Sequence, residues 1–224
     1  MKLKVAARRD QYPMKLYWFR VAPNPTKVRL YIAEKIFGGA KIEFESEVVK
    51  IVKGEGQLPQ FLEKNPFGTV PVLELDDGFR ISESLSIIEY LEEIFPEPNM
   101  WGSTIKQRVR TKELERIAEM KVLEPIAQYI HATQSPIGLP PNEVLASNAL
   151  STIVKPLEFF EGLMADGRKY LCGESVTVAD CTMQAGFQFA RFAKMDLGLG
   201  DHPRLKKWDA VYRERKPVTE ILVA

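Results

Sequence analysis

Two short stretches hold the residues with the most chemistry to offer. Asn65-Pro66-Phe67-Gly68-Thr69-Val70-Pro71 ends a loop and opens a strand, and Ser82-Glu83-Ser84 follows where a helical pattern begins. A cis bond before Pro71 exposes the Val70 backbone N–H and C=O at a sheet edge, where an extended peptide can pair as an added strand. Glu83 and Ser84 lie in the first turn of a helix, where free N–H groups and the helix dipole favour a carboxylate. Ser84 adds a hydroxyl for the same carboxylate, and Glu83 is placed to pair with an ammonium. Together they form a cradle for a short peptide with a free amino-acid end. Each piece also has a plainer reading. Proline is at home at the start of an edge strand, and an acid near the positive end of a capped helix is common.

The composition narrows the setting. The chain has 224 residues, 45% hydrophobic and 27% charged, enough for one large domain or two small ones. Lys+Arg 31 against Asp+Glu 30 leaves a net charge of +1, which argues against a dedicated nucleic-acid binder. No apolar run approaches the ~20 residues of a membrane helix, and residues 1–13 lack the apolar core of a secretory signal. Two cysteines, Cys172 and Cys181, without C-x-x-C spacing suit a reducing cytoplasm, and no His or Cys cluster has metal-ligand spacing. No metal, membrane or nucleic-acid partner is expected.

The elements that position the two stretches follow from pattern. Residues 1–13, with Arg8 and Arg9, read as a flexible arm. Lys15 to Phe19 is β-favouring, and after Pro23-Asn24-Pro25 a helical pattern runs to Gly38-Gly39. A strand is expected around Ile42 to Val49, a polar loop at Lys53 to Gly56 and a short helix at Pro59 to Glu63. Asp76-Asp77-Gly78 between Val72–Leu75 and Phe79–Ile81 is a hairpin signal. Leu85, Ile88, Leu91 and Ile94 then mark a helix with Ser82 as its N-cap, ending near Phe95-Pro96. Beyond Glu97-Pro98-Asn99-Met100 the pattern is helical throughout. Thr104 with Gln107 makes a capping box, and Pro125 kinks or ends that helix. A helix with Pro156 inside it is expected over 142–166, with Gly167 as its stop. Val178 to Phe192 is apolar nearly all round, as a core helix must be, and Trp208 and Tyr212 lie on a last amphipathic segment. The order β-α-β-α-β-β-α followed by helices gives an α+β fold: a thioredoxin-like N-terminal domain and an all-α C-terminal domain. The expected division is an arm at 1–13, a thioredoxin-like domain at 14–95, a linker at 96–103 and a helical domain at 104–224.

Four separated pieces resemble the cytosolic glutathione transferases over nearly the whole chain. They are Pro23 to Lys35, Asn65 to Val72, Glu83-Ser84 ahead of Ile87-Ile88-Glu89-Tyr90-Leu91, and Gly173-Glu174-Ser175-Val176-Thr177-Val178-Ala179-Asp180. The resemblance implies glutathione as co-substrate, with its cysteinyl residue on Val70-Pro71 and its γ-glutamyl end on Glu83 and Ser84. It also implies a homodimer, an electrophile site in the helical domain, and a part in detoxification. The usual Ser or Cys of the first loop falls on Ala22, which can neither donate nor attack. Asn24, two residues on, is similar to the asparagine that nu-like bacterial and related fungal members place near the glutathione sulfur. Two roles stay open for it: an amide donor that lowers the pKa of a thiol, ~8.5 when free, or an ordinary N-cap before a helix-opening Pro25. Gln57 and Lys53 are candidates for the glycine carboxylate. His131 and Tyr129 either face an acceptor pocket or lie near a helix end at the surface, and Cys181 reads as a small core residue.

The reaction implied is thiolate attack on a small hydrophobic electrophile, or glutathione-dependent disulfide or peroxide reduction. The alternative is a noncatalytic binding or scaffold protein that has kept the fold.

Overall fold

The computed structural model describes residues 14–222. The expected arm over 1–13 lies outside them. The chain runs β1 (Lys15–Trp18), α1 (Pro23–Phe37), β2 (Glu45–Val48), α2 (Pro59–Leu62), β3 (Val72–Glu74), β4 (Arg80–Ile81) and α3 (Ser84–Ile94). Five longer helices follow: α4 (Ile105–Ala118), α5 (Glu124–Gln134), α6 (Glu143–Leu163), α7 (Val178–Phe192) and α8 (Pro203–Arg213). The thioredoxin-like sheet followed by a helical half is the architecture read from the element order.

The sheet order is β2-β1-β3-β4, with β1 parallel to β2 and antiparallel to β3. Its pleat sorts the side chains. Leu16 and Leu73, paired across the strands, enter the main core, while Tyr17 and Val72 join Val49, Phe61 and Val70 in a smaller one on the other face. The main core crosses between the halves without a break, from Leu16, Val28 and Ile88 to Leu114, Phe187 and Trp208. Thirteen of the fifteen residues of α7 are buried, and this helix packs on α1, α4 and α5. Gly186 permits that approach, because a Cβ there would meet the Leu123 backbone at 3.2 Å.

Several local signals act as read. Leu75 and Phe79 close the hairpin around Gly78, whose φ is +82°. Thr104 and Gln107 form a reciprocal capping box. Residues 119–123 widen into a π-helical turn just before Pro125, which has no N–H to continue the α-helical ladder.

Four details differ from the sequence reading. The loop at 53–56 is instead part of two 3-10 turns, Ile51–Lys53 and Glu55–Gln57. The N-cap of α3 is Glu83 rather than Ser82. The helix α1 opens at Pro23, with Ala22 as N-cap, so Asn24 lies inside the first turn and is not a cap. Both prolines fit there, because N–H groups of a first turn have no intrahelical acceptor. Finally, Val70 is not at a sheet edge in the lateral sense. It precedes β3, which is an inner strand, and its backbone lies beyond the Tyr17–Val72 pair, where the register between β1 and β3 ends.

The box at the start of α7 does more than cap. Asp180 accepts from the Thr177 N–H (2.9 Å) and hydroxyl (2.9 Å), the Leu171 N–H (2.9 Å) and the Trp208 indole N–H (2.9 Å). Thr177→Ala is expected to destabilise by about 1 kcal/mol, the ordinary worth of a cap. Asp180→Ala leaves buried donors unpaired and is expected to cost about 3 kcal/mol or more. Denaturant unfolding of both variants measures the difference.

Candidate active site

The loop before β3 is built on one side chain. Asn65 is buried, and its amide donates to the Thr69 carbonyl (2.8 Å) and hydroxyl (2.9 Å). Its side-chain oxygen accepts the Phe67 N–H (3.1 Å), and its backbone carbonyl accepts the Gly68 N–H (2.9 Å). Gly68 has φ +65°, and a Cβ there would run into the Gln57 amide and the Gly56 carbonyl. Loop 65–71 and Gln57 therefore lie against each other. The Val70-Pro71 bond is cis. Among the described residues, no backbone group takes up the Val70 N–H or C=O.

The first turn of α3 supplies a second set of open groups. Ile87 makes the first intrahelical bond, to the Glu83 carbonyl (2.9 Å), which leaves the N–H groups of Ser84, Leu85 and Ser86 without helical acceptors. Glu83 is exposed and has no ion-pair partner among the described residues. Ser84 is buried, and its hydroxyl lies 3.5 Å from Oδ1 of Asn24.

That contact brings the starts of α1 and α3 together. In α1 the first intrahelical bond runs from the Thr26 N–H to the Ala22 carbonyl (3.1 Å), and the Thr26 hydroxyl donates to the same carbonyl (2.9 Å). Pro23 and Pro25 have no N–H, so Asn24 alone offers a free main-chain donor between them. Two positive helix ends thus converge where Asn24 and Ser84 meet, an arrangement suited to an anion. Nearby on β1 and α1, the Arg29 guanidinium lies 3.9 Å from the centroid of the Trp18 ring. Burial, then the charge of Arg20, lowers its pKa to about 10, so it stays cationic at neutral pH.

Not every candidate joins this group. Lys53 and Gln57 are exposed on the preceding turns. His131 lies on α5, with Nδ1 3.1 Å from the Ser135 hydroxyl and its ring 6.2 Å from that of Phe189. Burial pushes its pKa down, which keeps it neutral at pH 7. No hydrogen bond among the described residues links His131 or Tyr129 to Asn24 or Ser84. Cys181 is fully buried, with its sulfur 3.6 Å from the Tyr212 hydroxyl, and burial raises its pKa well above that of a free thiol. Among the described residues, no cluster of three or more His, Cys, Asp or Glu has the makings of a metal site. Sequence reasoning missed the role of Asn65, for which Asx followed by Gly three residues on is the available signal.

Residues 16–99 match the family model for the glutathione S-transferase N-terminal domain, and residues 120–215 the model for its C-terminal domain. Glutathione S-transferase 2 of Saccharomyces cerevisiae is 30% identical over 213 residues, covering 93% of this chain and 89% of that protein. The chain belongs to the glutathione S-transferase family. The crystal structure of Gtt2 from Saccharomyces cerevisiae superposes with a TM-score of 0.83 at 29% identity, covering 93% of this chain and all of that one. A glutathione S-transferase domain-containing protein from Marinobacter aquaeolei VT8 gives 0.82 at 31% identity, over 91% of this chain and 99% of its own. Membership places the chain among glutathione transferase-type proteins, a family whose substrate is glutathione.

Asn65→Ala is expected to cost about 2 kcal/mol, because it strands the Phe67 N–H and the Thr69 carbonyl. It should also raise the glutathione dissociation constant by loosening the loop that presents Val70. Thermal unfolding and calorimetric titration check the two effects.

Proposed function

We propose that the protein binds glutathione across the open groups of Val70 and the first turns of α1 and α3, and activates its thiol. The carrying observation is the meeting of Asn24 and Ser84 at 3.5 Å, which supports a reading in which the first faces the thiol and the second the γ-glutamyl carboxylate. In this reading the γ-glutamyl carboxylate rests on the Ser84 hydroxyl and the N–H groups of α3, and its ammonium pairs with Glu83. The cysteinyl N–H and C=O pair with Val70 beside Pro71. Gln57 and Lys53 take the glycine carboxylate.

The sulfur lies by the Asn24 N–H groups and the end of α1. Asn24 is no base, so the thiol proton leaves to solvent and the thiolate is the nucleophile. Lowering a thiol pKa from ~8.5 to ~6.5 raises the thiolate fraction at pH 7 from about 3% to about 75%. The thiolate attacks a small hydrophobic electrophile held by the helical half, or a peroxide or disulfide. In this reading the protein is a cytoplasmic detoxification enzyme whose two domains meet at a linker over 96–103. One observation favours the second reading, a noncatalytic scaffold: Ala22 stands at the usual activating position.

A homodimer accompanies the first reading. Phe67, Ile105 and Val109 are 72%, 73% and 63% exposed, and a groove of about 720 Å³ runs between α3 and α4 past Trp101. Ile105→Asp with Val109→Asp is expected to halve the mass seen by sedimentation.

Asn24→Ala is expected to raise the bound-thiol pKa by about one unit and lower turnover at pH 7 about threefold, with the melting temperature nearly unchanged because Ala22 is the cap. Ser84→Ala is expected to weaken glutathione binding about tenfold, the scale of one lost charge-assisted hydrogen bond. Calorimetry, and turnover with an aromatic electrophile, a hydroperoxide and a disulfide, test the set. Normal glutathione affinity in Ser84→Ala would mean the site is elsewhere, and tight binding without turnover on any substrate favours the scaffold.

A further inference from the structure

Lys27 is fully buried, one helical turn after Asn24, and both of its charged partners come from the helical half. Its Nζ lies 3.0 Å from Glu119, on the π-helical turn, and 3.5 Å from Glu115 on α4. Glu115 is also fully buried and accepts from the Thr182 hydroxyl of α7 at 3.1 Å. Arg116 closes the cluster from the solvent side, 2.7 Å from Glu119 and 3.9 Å from Glu115. Burial raises the Glu115 carboxyl to about 7, with Lys27 opposing and Glu119 adding to the shift. With Glu115 protonated, the interior holds one cation against one anion.

Such a cluster is a poor source of stability, since the desolvation of its members offsets their attraction. It is a good source of position. Close packing holds α1 on α7, and ionic ties add a fixed geometry to it. Among the described residues, two such ties join α1 to the helical half: Lys27 holds its start, and near its other end Glu34 accepts a two-pronged contact from Arg215 (2.7 and 2.5 Å). Of these two, the Lys27 tie acts on the turn that carries Asn24.

We propose that Lys27 is a positioning residue for thiol activation: it fixes the first turn of α1 against the helical half, and so sets where the Asn24 donors stand relative to the bound sulfur. The inference rests on the reading of Asn24 as the sulfur-facing residue.

Lys27→Met alone leaves buried acids uncompensated, so the test uses Lys27→Met with Glu119→Gln. Lys27→Gln is a milder second variant that retains a donor, and Lys27→Arg is the conservative one. Asn24→Ala is measured beside them. Glutathione binding is followed by calorimetry, the bound thiolate by its ultraviolet absorbance against pH, and turnover by kcat and KM. The double variant is expected to bind glutathione within about threefold of wild type, with its thiol titrating about one unit higher and kcat at pH 7 about threefold lower. Lys27→Gln is expected to shift in the same direction by less, and to decide the matter if the double variant does not fold. Lys27→Arg should keep the wild-type profile. If folded Lys27 variants titrate like wild type while Asn24→Ala does not, Lys27 only fills space and the inference is overturned. If Asn24→Ala itself leaves the thiol unmoved, the reading of Asn24 fails and the inference falls with it.

Discussion

Main-chain groups left open by the rest of the chain make up most of the candidate site, and each is open for a local reason. Backbone donors and acceptors buried in proteins are nearly always paired, so groups left open are available to solvent or to a ligand. Val70 is free because β1 ends its pairing at Val72. The Ser84, Leu85 and Ser86 N–H groups are free because a helix begins there without a side-chain cap. Asn24 keeps its N–H between two prolines that have none. Side-chain caps do appear at Thr104, Asn142 and Thr177, away from these turns.

The second constraint is continuity. The apolar core does not stop between the sheet and the helices. Any change in how α1 lies on α7 therefore reaches both the turn that carries Asn24 and the helices packed against it. Polar ties at the two ends of α1 add to that constraint.

Signals that act within a few residues were legible in the sequence. The Asp77-Gly78 hairpin, the boxes at Thr104 and Thr177 and the apolar run of α7 each depend on neighbours in the chain, and the structure has them as read. What could not be read depended on distant partners or on choices with equal local cost. Pro23 and Pro25 are both acceptable in a first turn, so spacing alone could not say whether Asn24 caps α1 or lies within it. The inner place of β3 follows from strand order, which no local pattern encodes. Lys27 looks like any solvated lysine in sequence, since its burial is set by Glu115 and Glu119 on another element.

The stacking of Arg29 on Trp18 has an optical consequence. An indole pressed beneath a guanidinium emits according to where that cation stands, and this one sits on β1 next to the loop that leads into α1. Trp208 is buried in the helical half and donates its indole N–H to Asp180. Of the three tryptophans, Trp18 is therefore the one sensitive to events at the entrance of α1, while Trp208 sits in a fixed internal setting.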